Sequence, residues 1–232
     1  MKRYLYPYLP MYLTCILAFV ILASSADRAI TTIAENIPVK RSVTFVIDAG
    51  HGGEDGGATS CSGVLESGIN LQIALRLEDL LHLLGYDTVM IRRTDISVYT
   101  AGSSIAAKKM SDLKERVRIV NETDNAILVS IHQNTYSDNR YSGAQIFYND
   151  IPGSKELASE LQKNFLSSVN PGSNRQCKPS DGIYLMQHIL QPGILIECGF
   201  LSHPEEEAKL RTGEYQKKLC SVIAVTLAQS VN

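Results

Sequence analysis

Val43-Thr-Phe-Val-Ile-Asp-Ala-Gly-His-Gly-Gly-Glu-Asp-Gly-Gly57 is the stretch around which the chain is organised. Val43 to Ile47 is a short apolar run rich in β-branched residues, and a cluster of glycines follows it. This pattern predicts a buried strand that opens into a loop. His51 sits in the loop between Gly50, Gly52 and Gly53. Glycine permits positive φ and leaves space beside the imidazole. An imidazole shown at the end of a buried strand suits metal binding. A phosphate-cradling loop or a plain tight turn is the alternative that this stretch alone leaves open.

Working outward, apolar runs and helical patterns alternate. Leu65 to Leu84 carries Ile69, Ile73, Leu77, Leu80, Leu81 and Leu84 at helical spacing, and Gly85 suits the C-terminal cap. Asp87 to Arg92 reads as a strand, and Arg93 to Met110 as a polar loop. Ser111 resembles the N-cap of a helix that runs to about Asn121. Ala126–Ile131 is a buried strand that delivers His132, and Gly143–Tyr148 is another strand. A helix over Ser154–Ser168 precedes a polar loop, Pro171–Asp181, and a short extended piece, Ile183–Met186. Gly193–Glu197 is the last strand, and Pro204–Leu210 and Gln216–Gln229 are closing helices. Strands that alternate with helices predict a single α/β domain. Its sheet is expected to be mostly parallel and twisted, with helices on both faces.

The 232 residues carry a net charge of −2, which fits one sizeable domain and provides no basic footprint for nucleic acid. At the N-terminus, Lys2 and Arg3 precede the apolar run Met11–Ala23, and small residues at 24–26 suit a cleavage site. Residues 1–26 therefore read as a signal peptide or membrane anchor, 27–42 as a linker, and 43–232 as the catalytic domain. Export across the cytoplasmic membrane is the expectation, to the cell wall or an intermembrane space, with the body secreted or N-terminally anchored. The five cysteines show no paired spacing, and those of the body are expected as free thiols.

In such a sheet, ligands collect beyond the carboxyl ends of the strands. His51, His132 and Glu197 fall at three strand ends, and Glu66 in the first turn of the first helix. Two histidines and a carboxylate make a catalytic zinc set, provided the fold assembles them. A lone histidine after an apolar strand is more often held by a backbone carbonyl, and a first-turn glutamate is ordinary helix-dipole chemistry. Glu197 lies between Gly-Ile-Leu-Ile and Cys-Gly-Phe-Leu. Burial there demands a partner or a raised pKa, as a general base uses. His82, His188 and His203 read as surface or supporting residues.

Ile47-Asp-Ala-Gly-His-Gly-Gly53, Glu66-x-x-x-Asn70, Ser130-Ile-His-x-Asn134 and Ile196-Glu-Cys-Gly-Phe-Leu-Ser202 occur in that order. Together they resemble the zinc-dependent N-acetylmuramoyl-L-alanine amidases of the Amidase_3 family. Lys109–Arg116, Ser142–Tyr148 and Ile183–Gln187 are similar to its CwlD-like spore-cortex subgroup. The resemblance implies one Zn2+ held by His51, Glu66 and His132, with Glu197 catalytic. It implies cleavage of the amide between the lactyl group of N-acetylmuramic acid and L-alanine in peptidoglycan, as the first step toward muramic-δ-lactam in spore cortex. Some relatives need a lipoprotein partner. Thr135 and His203 depart from the usual alanine and asparagine, which touches substrate contacts rather than the ligands. Asp48 is a candidate for orienting a ligand or the loop, or simply for capping the turn. Asn70 and Asn134 are candidates for buttressing the loops or binding substrate. The rivals are a zinc peptidase acting on the peptide stem and a catalytically dead peptidoglycan-binding protein. A nucleotide-binding loop lacks its lysine.

Overall fold

A computed structural model describes residues 43–231. The expected leader and linker, residues 1–42, lie outside the described residues. The described residues form an α/β domain built on a six-stranded sheet in the order β2-β1-β3-β6-β4-β5. In chain order these strands are β1 (Thr44–Ala49), β2 (Asp87–Met90), β3 (Ala126–Asn134), β4 (Gln145–Tyr148), β5 (Lys178–Pro179) and β6 (Gly193–Phe200). The helices are α1 (Glu66–Leu83), α2 (Ile105–Glu122), α3 (Ser154–Ser168), α4 (Tyr184–His188), α5 (Pro204–Leu210) and α6 (Gly213–Ser230). β1, β2, β3 and β6 run parallel, whereas β4 runs antiparallel to β6.

Alternation along β1 explains the layers. Phe45, Ile47 and Ala49 enter a core with Ile69, Ile73, Leu77 and Leu81 of α1, Leu161 and Phe165 of α3, and Ile223 and Leu227 of α6. Val46 faces the other way, into a smaller core with Val120 of α2 and Leu185 and Met186 of α4. Successive strand residues point to opposite faces, so a strand buried on both sides must be apolar at nearly every position. On α1, the i, i+4 stripe from Ile69 to Leu81 is fully covered, each such side chain worth about 1.5–3 kcal/mol of burial. Gly85, at φ 80, closes that helix, with the Tyr86 N–H donating back to Leu81 O at 3.0 Å.

The structure corrects several boundaries. α2 begins at Ile105, six residues before the expected start, with the Ser104 hydroxyl accepting from the Ala107 N–H. Its first turns leave Ile105 and Met110 exposed, so they carry no apolar stripe to betray a helix. Ser111 and Asp112, expected at the cap, lie inside the helix. They accept from the N–H groups of Val98, Thr100 and Ala101 and so hold down the preceding loop. Ile183–Met186 is not extended; α4 occupies Tyr184–His188, with the His188 ring stacked on Tyr184 at 3.9 Å. α6 starts at Gly213, capped by Thr212, rather than at Gln216. β3 and β6 run past His132 and Glu197 instead of ending there. All four described cysteines are free thiols. Among the described residues, no helix is long and apolar enough to cross a membrane.

Candidate metal centre

β1 pairs with β2 on one side and β3 on the other, and the helices after β1 and β2 pack on opposite faces. The crevice beyond the carboxyl ends of β1 and β3 is therefore a topological switch point, where such sheets bind ligands. His51 leaves β1 there through Gly50 and adopts φ 61, a left-handed conformation uncommon for a side-chain-bearing residue. The turn points the imidazole at Glu66. His51 Nε2 lies 3.3 Å from Glu66 Oε2, and His132 Nδ1 lies 3.1 Å from Glu66 Oε1. The three residues offer donor atoms within 4.8 Å of one another, and no other such cluster of histidine, cysteine or carboxylate side chains occurs among the described residues. The sequence candidates His51, Glu66 and His132 are thus brought together by the fold.

Close approach depends on missing side chains. A Cβ on Gly50 would stand 2.2 Å from His132 Cε1 and Nε2. One on Gly57, already at φ +68, would stand 2.6 Å from Glu66 Oε2. Gly50 and Gly57 thus leave space for the donor residues, whereas Gly52 and Gly53 leave it for Arg92, Ile96 and Ser97.

Glu66 is 3% exposed and firmly held. Oε2 accepts from the Ala58 N–H at 2.9 Å; Oε1 accepts from the Gln133 N–H and from Asn70 Nδ2, both at 3.1 Å. Burial opposes its ionisation, but hydrogen bonds and charge from His132 and His51 outweigh it and keep the carboxyl well below its usual range. Asn70 also donates to Gly50 O and accepts from Gln133 Nε2, which makes it a buttress of the loop. Asn134 closes β3, its backbone carbonyl accepting from the Leu201 N–H.

Asp48 does not touch either imidazole. It is 1% exposed, ion-paired with Arg116 of α2, and accepts from the Ser130 hydroxyl at 2.6 Å. Arg116 in turn donates to Ala49 O and, at 2.9 Å, to His51 O. Asp48 therefore orients the loop through a buried arginine. The carboxylate on the histidine is Asp55, whose Oδ2 lies 3.1 Å from His51 Nδ1 and 3.3 Å from Lys109 Nζ. Burial pulls the His51 pKa down, and Glu66 and Asp55 raise it above the ordinary value.

Sequence reasoning missed Asp55, Arg116 and Arg92. Arg92, two residues beyond β2, is 2% exposed and donates to the carbonyls of Ala49, Gly50 and Ser67. The available signal was an arginine closing a strand beside a glycine loop whose carbonyls need donors.

Glu197 faces His132 in register across β3 and β6. Its Oε2 is buried and has no hydrogen-bond partner. Burial pushes its carboxyl up to about 7, with His132 and His51 pulling against it. A carboxyl poised there exchanges protons readily near neutral pH. The remaining histidines have other work. His82 contacts the Thr88 hydroxyl, and His203 caps α5 by accepting from the Glu206 N–H.

Comparison with known proteins identifies the family. Residues 45–229 match the Amidase_3 family model, described as N-acetylmuramoyl-L-alanine amidase. The germination-specific N-acetylmuramoyl-L-alanine amidase of Bacillus subtilis is 34% identical over 189 residues, covering 81% of this chain and 79% of that protein. The CwlD amidase of Clostridioides difficile, solved in complex with the GerS lipoprotein, superposes with a TM-score of 0.78 at 36% identity, covering 81% of this chain and 98% of that one. An N-acetylmuramoyl-L-alanine amidase from Clostridium difficile 630 gives 0.71 at 31% identity, covering 82% and 97%. The span matched by the family model runs from β1 into α6 and includes His51, Glu66, His132 and Glu197, and the chain belongs to the Amidase_3 family of N-acetylmuramoyl-L-alanine amidases.

Proposed function

We propose that this amidase hydrolyses the lactyl–L-alanine amide of peptidoglycan with one zinc ion held by His51, Glu66 and His132, and with Glu197 as the proton-transferring carboxylate. The observation that carries the reading is the His-Glu-His cluster with an unpartnered carboxylate oxygen in register beside it. The donor set suits zinc. Two imidazole nitrogens and a carboxylate form a borderline N/O set, and three protein ligands leave a position for water. The supports suit it as well, since Asp55 fixes His51 and two backbone N–H groups fix Glu66.

Zinc, when bound, supplies Lewis acidity and a water whose pKa is lowered toward about 7. The chain supplies the proton path. Glu197, whose free oxygen makes no competing hydrogen bond, accepts the proton of the attacking water. It then returns that proton to the nitrogen of the leaving L-alanine, which departs as an amine. Arg92 and Arg116 keep the His51 loop from relaxing as charge moves through the site.

The relatives support a role in germination and an accessory lipoprotein partner, which we extend to maturation of the spore cortex; export across the cytoplasmic membrane rests on the charged and apolar pattern of residues 1–26 alone. Chelation tests the metal. Dialysis against a strong chelator is expected to abolish release of stem peptides from peptidoglycan, and one equivalent of zinc to restore it. His132→Ala is expected to lose stoichiometric zinc by elemental analysis. Cleavage that survives complete metal removal would take the ion out of the account.

A further inference from the structure

On the β4 side of β6 lies an open groove of about 1090 Å³. None of the donor residues lines it; it meets the site at Gln145. Gln145 pairs with Glu197 from β4 just as His132 pairs with Glu197 from β3. Paired residues on neighbouring strands share a face of the sheet. His132, Glu197 and Gln145 therefore form one row leading from the metal cluster into the groove.

Arg175 continues that row. Its Nη1 donates to Gln145 Oε1 at 3.1 Å and its Nε to Ser142 O at 2.8 Å. The guanidinium carbon stands 4.7 Å from the centre of the Phe200 ring. The side chain is thus fixed by three contacts, while Nη2 donates to nothing among the described residues. An immobilised guanidinium with a free edge is preorganised for an anion, and for a carboxylate above all. Basic side chains outnumber acidic ones around it, with Glu205 the acidic residue that also lines the groove beside Glu206. Lys178, Lys209 and Lys218 also line the groove, whereas its Glu206 is occupied by the N–H groups of Gly143 and Phe200.

We infer that this groove receives the acidic part of the peptide stem on the leaving side of the cut, and that Arg175 is the specificity-determining donor to a stem carboxylate. The inference rests on the amidase reading above. Strands lie about 4.8 Å apart, so a guanidinium one side chain beyond Gln145 is roughly 10 Å from Glu197. A peptide advances about 3.5 Å per residue. With L-alanine at the cut, the carboxylates of the next two stem residues come within reach of Nη2 and the lysines behind it.

The test uses the zinc-loaded full-length chain and two soluble substrates: N-acetylmuramoyl-L-alanine, and N-acetylmuramoyl-tripeptide with free stem carboxylates. Arg175→Gln is expected to raise KM for the tripeptide substrate by about 10–100-fold with little change in kcat, the loss of one charge-assisted hydrogen bond. It is expected to leave the truncated substrate unaffected. Arg175→Lys should recover part of the loss, because the charge remains and the fork does not. Equal losses on both substrates would mean a structural role, and no loss on either would mean no contact; both overturn the assignment. Calorimetric binding of the free tripeptide, which lacks the lactyl–L-alanine amide, to the Glu197→Gln protein and to the same protein with Arg175→Gln reads the groove without turnover. Tighter binding with Arg175 present than with Arg175→Gln supports the groove even if the amidase reading fails. Equal binding overturns the groove even if that reading holds.

Discussion

Glu197→Gln is expected to lower kcat on peptidoglycan by about 10²–10⁴-fold, the usual contribution of a positioned general acid–base, while the protein keeps its zinc. The substitution is nearly isosteric and removes no donor atom from the cluster of His51, Glu66 and His132. Glu197 Oε2 is buried with no partner, an arrangement that costs stability and is retained where the group serves chemistry. The variant should therefore be no less stable than wild type in thermal unfolding. Loss of turnover with zinc and Tm retained separates a proton-transfer role from a ligand role. Loss of zinc would instead place Glu197 among the ligands, and a near wild-type rate would remove it from the mechanism.

Arg116→Met is expected to destabilise the domain by about 3–5 kcal/mol in urea unfolding, because it strands the buried Asp48 carboxylate without its partner. Asp48 and Arg116 are 1% and 3% exposed, so water cannot replace the lost cation. In wild type, burial works to raise the Asp48 pKa, but Arg116, His132 and Ser130 together hold it below its ordinary value. A depressed folded pKa contributes stability above the unfolded value of 3.8, and that stability is lost as the pH falls through the folded pKa. Without Arg116 the sign reverses. Burial then dominates, the folded pKa rises above the unfolded one, and the variant regains stability as the pH is lowered and Asp48 becomes neutral. Adding Asp48→Asn should recover part of the deficit at neutral pH, a coupling a double-mutant cycle reads directly. Arg116 also donates to His51 O, so the single variant should bind zinc more weakly than its stability alone explains. A deficit independent of pH would contradict the buried-charge account.

These features differ in how far the sequence discloses them. β1, β3 and β6 are apolar on both faces, and α1 repeats its apolar stripe every turn, so local pattern sufficed for them. The same local patterns placed His51, His132 and Glu197 near strand ends, and the shared crevice follows from topology. Asp55 and Arg116 escaped because their roles are defined by contacts that sequence spacing does not encode. Arg116 reaches 68 residues back to Asp48, and only the packing of α2 against the sheet makes that pair. For Asp48 the sequence leaves open a ligand, the loop or the turn as its target; its contact with Arg116, which donates to Ala49 O and His51 O, selects the loop. The early start of α2 was hidden by its exposed first turns, where no apolar periodicity exists to be read. The reversal of β4 is a matter of pairing with β6, and a four-residue strand has the same composition in either direction.

The bond that is cut tests the central claim most directly. Purified peptidoglycan digested with the zinc-loaded protein can be resolved by mass spectrometry into its glycan and peptide ends. The account predicts stem peptides with a free L-alanine amino terminus, glycan muramic acid with a free lactyl carboxylate, and neither product from Glu197→Gln. Fragments that keep the lactyl–L-alanine amide intact and are broken further along the stem would contradict it, and would make the same metal centre that of a peptidase.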